Sequence, residues 1–240
     1  MGNNVIVTKK LTKHYKNKCA VNEISMQIKK GDIYGLIGRN GAGKTSFMKL
    51  LLGMTKVTSG SIELLGSSDL ETARLKTGSI IETPTFYDNI SAYRNLVYRS
   101  KLLGMGEAKD KINELLELVG LLDVKNQKVG DYSLGMRQKL GIATTLLNEP
   151  ELLILDEPIN GLDPVAIAEV RHVLKKVNKE KEVTILISSH ILGEMQKLAT
   201  RYGFIVDGKL VNEITESEIE TQKLDLESYS LKMMGVQIDD

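Results

Sequence analysis

The 240-residue chain has no tryptophan, three phenylalanines, four prolines and a single cysteine. Cys19 alone can close no internal disulfide and build no multi-thiolate metal site. A reducing compartment suits such a chain, with a buried, inert thiol as the expected role of Cys19. Charge of one sign is also missing: 32 Lys and Arg face 31 Asp and Glu, a net charge of +1. That balance sets up no field to attract DNA, RNA or anionic lipid, so nucleic acid is not an expected partner. Long hydrophobic runs are absent too. The stretch from Leu146 to Leu155 is broken by Asn148, Glu149, Pro150 and Glu151, well short of the ~20 apolar residues that span a bilayer. The amino terminus lacks the apolar core of a signal peptide, and a cytoplasmic location is expected. Hydrophobic content of 42% and charged content of 26% are those of a globular protein with ample material for a core, as one large domain or two small ones.

What is present begins with Gly38-Arg39-Asn40-Gly41-Ala42-Gly43-Lys44-Thr45, a complete phosphate-binding loop. It follows an apolar run, Asp32 to Ile37, that reads as a buried strand, and precedes Ser46 to Leu52, whose apolar residues suit a helix. The glycines allow backbone conformations closed to other residues, and the helix start offers unpaired N–H groups and a positive dipole end to a polyphosphate. Lys44 supplies a cation for the β- and γ-phosphates, and the Thr45 hydroxyl a ligand for Mg²⁺; Ser46 lies next to both. A nucleoside triphosphate with Mg²⁺ is therefore the expected ligand.

Leu152-Leu153-Ile154-Leu155-Asp156-Glu157-Pro158 reads as a strand buried on both faces of a parallel sheet, with two acids at its carboxyl end, where such sheets bind ligands. Asp156 is placed for the Mg²⁺ shell and Glu157 to take a proton from attacking water. Helix-entry acids before Pro158 are the plainer reading. Other strand-like runs are Val5 to Val7, Ser25 to Ile28, Ile33 to Ile37, Ser61 to Leu65, Ser79 to Ile81, Thr184 to Ile187 and Phe204 to Val211. The last contains Asp207-Gly208, a hairpin signal. Between Glu82 and Leu152 the period changes: Ala92 to Leu103, Ala108 to Val119 and Leu134 to Leu147 read as helices. After Val211 the chain turns acidic, through Glu213, Glu216, Glu218, Glu220 and on to Asp239-Asp240. Ile214, Ile219 and Leu226 repeat poorly there, which predicts a solvated helix or loose extension.

Tyr132-Ser133-Leu134-Gly135-Met136, ahead of the acidic strand, resembles the signature of ATP-binding-cassette transporters, usually Leu-Ser-Gly-Gly-Gln. From Val5 to Val211 the chain resembles their nucleotide-binding subunit. Ser133 and Gly135 match the signature and Tyr132, Leu134 and Met136 depart from it; Ser before an amphipathic run is also an ordinary helix cap. The resemblance implies that Ser133 and Gly135 cap the γ-phosphate held by a second cassette chain, so a working unit needs two chains, a homodimer being preferred. It implies adenine stacking for Tyr15, where a surface or core tyrosine is the alternative. Asp163 in Gly161-Leu162-Asp163 becomes the polar member of the loop crossing between cassettes, or part of a plain turn before a helix at Pro164. His190, after Ser188-Ser189, becomes the switch histidine; with Glu157 and Lys44 it completes the implied catalytic set.

The expected fold is therefore α/β: a phosphate-loop NTPase core of the ATP-binding-cassette kind (residues 1–82 and 150–212) with a small antiparallel portion, an inserted helical subdomain (83–149) and a charged extension (213–240). The implied function is an ATPase that powers a membrane exporter through a separate permease subunit, peripheral at the inner face of the membrane. A cassette ATPase acting on a soluble complex such as the ribosome is the runner-up, although such factors usually carry two cassettes. A GTP switch lacks its Asn-Lys-x-Asp motif here. Where the family usually has Gln, this chain has Glu82, in the loop entering the helical segment. Glu there resembles the branch serving bacitracin and lantibiotic resistance or immunity. A carboxylate binds Mg²⁺ more strongly than an amide, yet adds negative charge beside a polyphosphate. Glu82→Gln is expected to retain ATP binding and to alter hydrolysis or its coupling to transport; unchanged kinetics and transport would refute a special role.

Overall fold

The computed structural model describes residues 4–235. Strand β1 (Asn4–Tyr15) runs antiparallel to β2 (Lys18–Lys29). There follow β3 (Ile33–Ile37), α1 (Lys44–Leu51), β4 (Ser59–Leu64), α2 (Leu70–Leu75) and β5 (Thr77–Ile80). A helical stretch holds α3 (Ala92–Leu102), α4 (Lys109–Leu118) and α5 (Leu134–Thr145). The chain then returns to alternation with β6 (Leu152–Leu155), α6 (Pro164–Lys181), β7 (Thr184–Ser189), α7 (Leu192–Gln196), β8 (Arg201–Val206) and β9 (Lys209–Thr215), and ends in α8 (Glu216–Gln222) and α9 (Leu226–Met233).

Two sheets result. One is antiparallel, in the order β2-β1-β4. The other has the order β5-β6-β7-β3-β8-β9, parallel from β5 to β8 and antiparallel at β9. The hairpin between β8 and β9 turns at Asp207 and Gly208, with φ of 46° and 79°. Two positive φ values match the twist of the flanking strands, which is why an Asp-Gly pair stands there. β1 and β2 are much longer than their apolar stretches, because cross-strand pairing carries the polar residues on past Val7 and ahead of Ser25. Cys19, on β2, is half-buried rather than buried, with Sγ 3.4 Å from the Val21 carbonyl.

The parallel sheet divides the core. Tyr34, Leu36, Leu152, Ile154 and Leu186 face α1 and the antiparallel sheet, meeting Phe47, Met48, Ile6 and Leu11. Ile33, Ile37, Leu153, Leu155, Ile185 and Ile187 face the other way. These pack with Val170, Leu174 and Val177 of α6, and their cluster runs on into Leu96, Ile112, Leu116, Leu140 and Ile142 of the helical stretch. Successive strand residues point to opposite faces, so burial of both faces requires the unbroken aliphatic run at Leu152–Leu155.

The expectation of a loose carboxyl-terminal extension is overturned. Ile214, Ile219 and Leu226 are all buried, at 6%, 4% and 0% exposure, and belong to the same cluster as the sheet. Tyr229 of α9 packs edge-on against Phe204, with ring centroids 5.5 Å apart, and accepts a hydrogen bond from Asn212 Nδ2. A capping box between Thr215 and Glu218 starts α8. The three apolar residues share no helical period because they sit on β9, α8 and α9, and a boundary at residue 212 cuts through β9. Asp239 and Asp240 lie outside the described residues. Leu226→Ala should therefore lower stability by about 3 kcal/mol, the usual cost of emptying a filled apolar position. A shift below about 0.5 kcal/mol in urea unfolding, the range of surface substitutions, would show that this segment is not part of the fold.

Candidate active site

Parallel pairing brings the carboxyl ends of three strands to one edge. Ile37 of β3 pairs with Ser189 of β7, and Leu155 of β6 with Ile187. The next residues in each strand's path are the Gly38–Thr45 loop, the Asp156-Glu157 pair and His190, so they meet at the rim where open α/β sheets bind ligands. Tyr15, Lys18, Ala20, Asn40, Gly41, Gly43, Lys44, Thr45, Ser46 and Glu157 line a cleft there of about 280 Å³.

The loop is shaped by its glycines. A Cβ on Gly38 would lie 2.5 Å from the Ile205 carbonyl oxygen, and one on Gly43 would collide with the carbonyl of Ala20. Gly41, at φ 83°, has no other atom within 4 Å of its Cβ direction, so the backbone is bare where a phosphate would approach. Helix α1 begins at Lys44 with no side-chain cap on its first N–H groups. Four such groups lack a partner at any helix start, and here they are free to face an anion. Lys44 is buried, and its Nζ donates to the carbonyls of Gly38 at 2.6 Å and Arg39 at 3.3 Å.

The acids are tied to the loop and to β7. Thr45 Oγ1 donates to Asp156 Oδ2 at 2.7 Å. Ser188 Oγ donates to Asp156 Oδ1 at 2.6 Å and accepts the Glu157 N–H at 2.9 Å. Glu157 has φ 48°, a left-handed conformation costing a side chain with Cβ about 1–2 kcal/mol. The Ser188 bond holds it there. Glu157 Oε2 lies 2.8 Å from His190 Nδ1. A carboxylate only accepts, so Nδ1 carries the proton of that bond. Glu157 Oε1 is buried without a hydrogen-bond partner; Lys44 Nζ stands 3.3 Å from it but is not aligned to donate. One carboxylate oxygen thus meets a histidine, and the other is buried beside an ammonium without a hydrogen bond.

Ser133 and Gly135 are not among the residues lining this cleft. Ser133 caps α5, accepting the Met136 N–H at 3.2 Å. Asp163 caps α6, accepting from the N–H groups of Val165 and Ala166, both at 2.9 Å. The two helix starts touch: a Cβ on Gly135 would stand 2.6 Å from Ala166 Cβ, and Lys139 Nζ binds Glu169 Oε2 at 2.7 Å one turn along. Glu82 is not hydrogen-bonded to Thr45 or Asp156. Its Oε1 accepts from Lys49 Nζ at 2.9 Å. Tyr15, at 42% exposure, ends β1 with Lys13 Nζ 4.8 Å above its ring. Sequence reasoning missed Ser188 and Lys49. The serine at the end of an apolar strand was a usable signal for the first, whereas only the fold pairs Lys49 with Glu82.

Thr45 and Asp156 together offer a hydroxyl and a carboxylate, hard oxygen donors that fit a Mg²⁺ completing its shell with phosphate oxygens and water. Among the described residues no cluster of three His, Cys, Asp or Glu forms a metal site by itself.

A glycine loop opening a helix beside two acids, at the rim of a parallel sheet, defines a phosphate-loop NTPase. The chain belongs to the ABC transporter family, whose model matches residues 21–160, and it is an ATP-binding, ATP-hydrolysing cassette. It is 49% identical over 218 residues to the bacitracin transport ATP-binding protein BcrA of Enterococcus faecalis, covering 90% of this chain and 70% of that protein. It is 47% identical over 203 residues to the lantibiotic transport ATP-binding protein SrtF of Streptococcus pyogenes, covering 85% and 87%. A solved structure described as the ATP binding subunit of an ABC transporter superposes with a TM-score of 0.81 at 27% identity, over 95% of this chain and 99% of that one. These relatives bear out the likeness to the bacitracin and lantibiotic branch.

Helix propensity alone would favour Gly135→Ala by up to about 1 kcal/mol, but the contact with Ala166 reverses the sign. The substitution should cost about 1–3 kcal/mol in urea unfolding by forcing α5 from α6, and Gly135→Ala with Ala166→Gly should recover most of the loss. No recovery in the double variant would show that the seam is not what demands glycine.

Proposed function

We propose that this chain is the ATP-hydrolysing subunit of an exporter of antimicrobial peptides or drugs, serving resistance or immunity. What supports the cargo class is the bacitracin and lantibiotic transport named for its relatives. The observation that carries the catalytic reading is Glu157, with Oε2 held by His190 and Oε1 buried beside Lys44 without a hydrogen bond.

In this reading the Tyr15 ring stacks on the adenine, and the backbone from Gly38 to Thr45, with Arg39, Asn40, Ala42 and Ser46 framing it, holds the phosphates. Thr45 and Asp156 hold Mg²⁺, which when bound neutralises charge on the phosphate oxygens. Lys44 places a buried positive charge where the γ-phosphate stands. Glu157 orients water and accepts its proton, and His190 keeps the carboxylate turned to that task. With Nδ1 engaged, His190 can donate from Nε2 to a phosphate oxygen only as the doubly protonated ring. Positioning and electrostatic stabilisation supply most of the catalysis.

The second half of the site comes from another copy of the chain. Leu134 and Val165, at 45% and 70% exposure, stand at the starts of α5 and α6, and the packed seam between those helices presents Ser133 and Asp163 together, with Gly135 buried behind them. A homodimer built on that face lets each chain cap the other's γ-phosphate, excluding water on closure and releasing it after hydrolysis.

Among the described residues no helix is long and apolar enough to cross a membrane, and the transport pathway is assigned to a separate permease. Its docking place is a groove of about 360 Å³ beside α3, lined by Phe86, Tyr87, Tyr98, Arg99 and Leu102. Tyr87, Tyr98 and Leu102 are exposed, and the groove opens a few residues after Glu82. Docking there holds the cassette at the inner face of the membrane.

Glu157→Gln should reduce ATP turnover by about 10²–10⁴-fold, the range for removing a general base, while ATP binding is retained. Phosphate release and binding of a fluorescent ATP analogue read the two separately. Turnover surviving in the variant would remove Glu157 from its assigned role.

A further inference from the structure

Lys49 lies four residues after Thr45 on α1, one turn along, so both occupy one face of the helix. Glu82 leaves the edge of the sheet two residues after Ile80, whose carbonyl accepts the Asp156 N–H at 2.8 Å. Its backbone is left-handed, with φ 66°, which turns the residue out of the line of β5. The two side chains meet at 2.9 Å. The hydrogen bond to Glu82 is the main reason that Lys49 holds its proton more tightly than a free lysine, and the Asp156 carboxylate adds to the same field. Lys49 thus lies on the same helix face as Thr45 with its ammonium held by the carboxylate at 82.

That position answers an electrostatic difficulty. A carboxylate near a polyphosphate repels it, and Glu82 is 70% exposed at its side chain, free to swing unless something holds it. We propose that Lys49 is a positioning residue that neutralises Glu82 and fixes its carboxylate, so that an acid can stand in this loop without opposing the nucleotide. Lys49 acts through Glu82 and touches neither the phosphates nor the water. This assignment rests on the nucleotide site described above.

The test compares Lys49→Gln, Glu82→Gln and the double variant in the full chain, reading KM and kcat for ATP in Mg²⁺ and the affinity for a trinitrophenyl-ATP probe. Lys49→Gln frees a charged Glu82. Nucleotide affinity should fall about five- to tenfold at low salt, and the deficit should shrink at high salt, which screens exposed charge. The double variant should bind within about twofold of Glu82→Gln, because an amide needs no counter-charge. A double variant as weak as Lys49→Gln alone, or a Lys49→Gln protein binding like wild type, overturns the proposal.

A wild-type chain that neither binds nor hydrolyses ATP would sink the reading of the site instead. The pair is then judged by NMR of protein with ¹³C-labelled lysine, using the ε-methylene signal that Lys49→Gln removes. Displacement of that signal by Glu82→Gln supports the pairing, and an unmoved signal overturns it.

Discussion

One hydroxyl at the end of a buried strand organises the chemistry of this protein. Ser188 Oγ donates to Asp156 Oδ1 and accepts from the Glu157 backbone. It therefore orients one acid and holds the other in a left-handed conformation that a side chain rarely adopts. The bond exists because β6 and β7 are parallel neighbours in a register that sets Leu155 beside Ile187, so the residues that leave each strand meet across the gap. Thr45 joins the group from the far side, through the second oxygen of Asp156. Three segments distant in the chain are thus locked by hydrogen bonds between neutral hydroxyls and charged acids, among the stronger kind in a protein.

The same sheet carries the mechanical side. Its one face shares a continuous apolar cluster with α3, α4 and α5, so displacement of the helical stretch cannot leave the core untouched. Close-packed interiors transmit strain instead of absorbing it. The seam between α5 and α6 is tighter still, closed by Gly135 against Ala166 and by the Lys139–Glu169 pair. Ser133 and Asp163 cap those two helices at the same packed seam. After Glu82 the chain passes from the sheet's rim to the groove lined by Phe86, Tyr87 and Arg99. The cleft at the sheet's rim, the seam between α5 and α6 and the groove are therefore linked by short lengths of chain and one packed core.

Much of this was legible beforehand because local physics and global fold agree. The phosphate loop, the aliphatic strand with its two acids and the Asp-Gly hairpin each carry their signal within a few residues. The core helices end within about two residues of their periodic patterns. Other parts were illegible for a definable reason. β1 and β2 extend through polar residues whose strand geometry comes from their partners, not from burial. The carboxyl-terminal helices looked unpacked because Ile214, Ile219 and Leu226 reach the core from three elements, and no single period describes them. The role of Ser188 was hidden since a serine at a strand end has many uses, and the Lys49–Glu82 pair since the two residues are far apart in the chain and share no motif.

The chain's order of residues by itself determined what chemistry is on hand: glycines that only a tight anion loop requires, an ammonium and a hydroxyl at a helix start, two acids after a strand buried on both faces. Those depend on conformational freedom and side-chain type, which are local properties. Tertiary structure alone decided which oxygen of Glu157 meets His190 and which stands beside Lys44, that Gly135 is glycine because Ala166 presses against it, and that Glu82 faces Lys49. These are distances between segments that meet only when the sheet is assembled, and no periodicity along a chain encodes a distance across it.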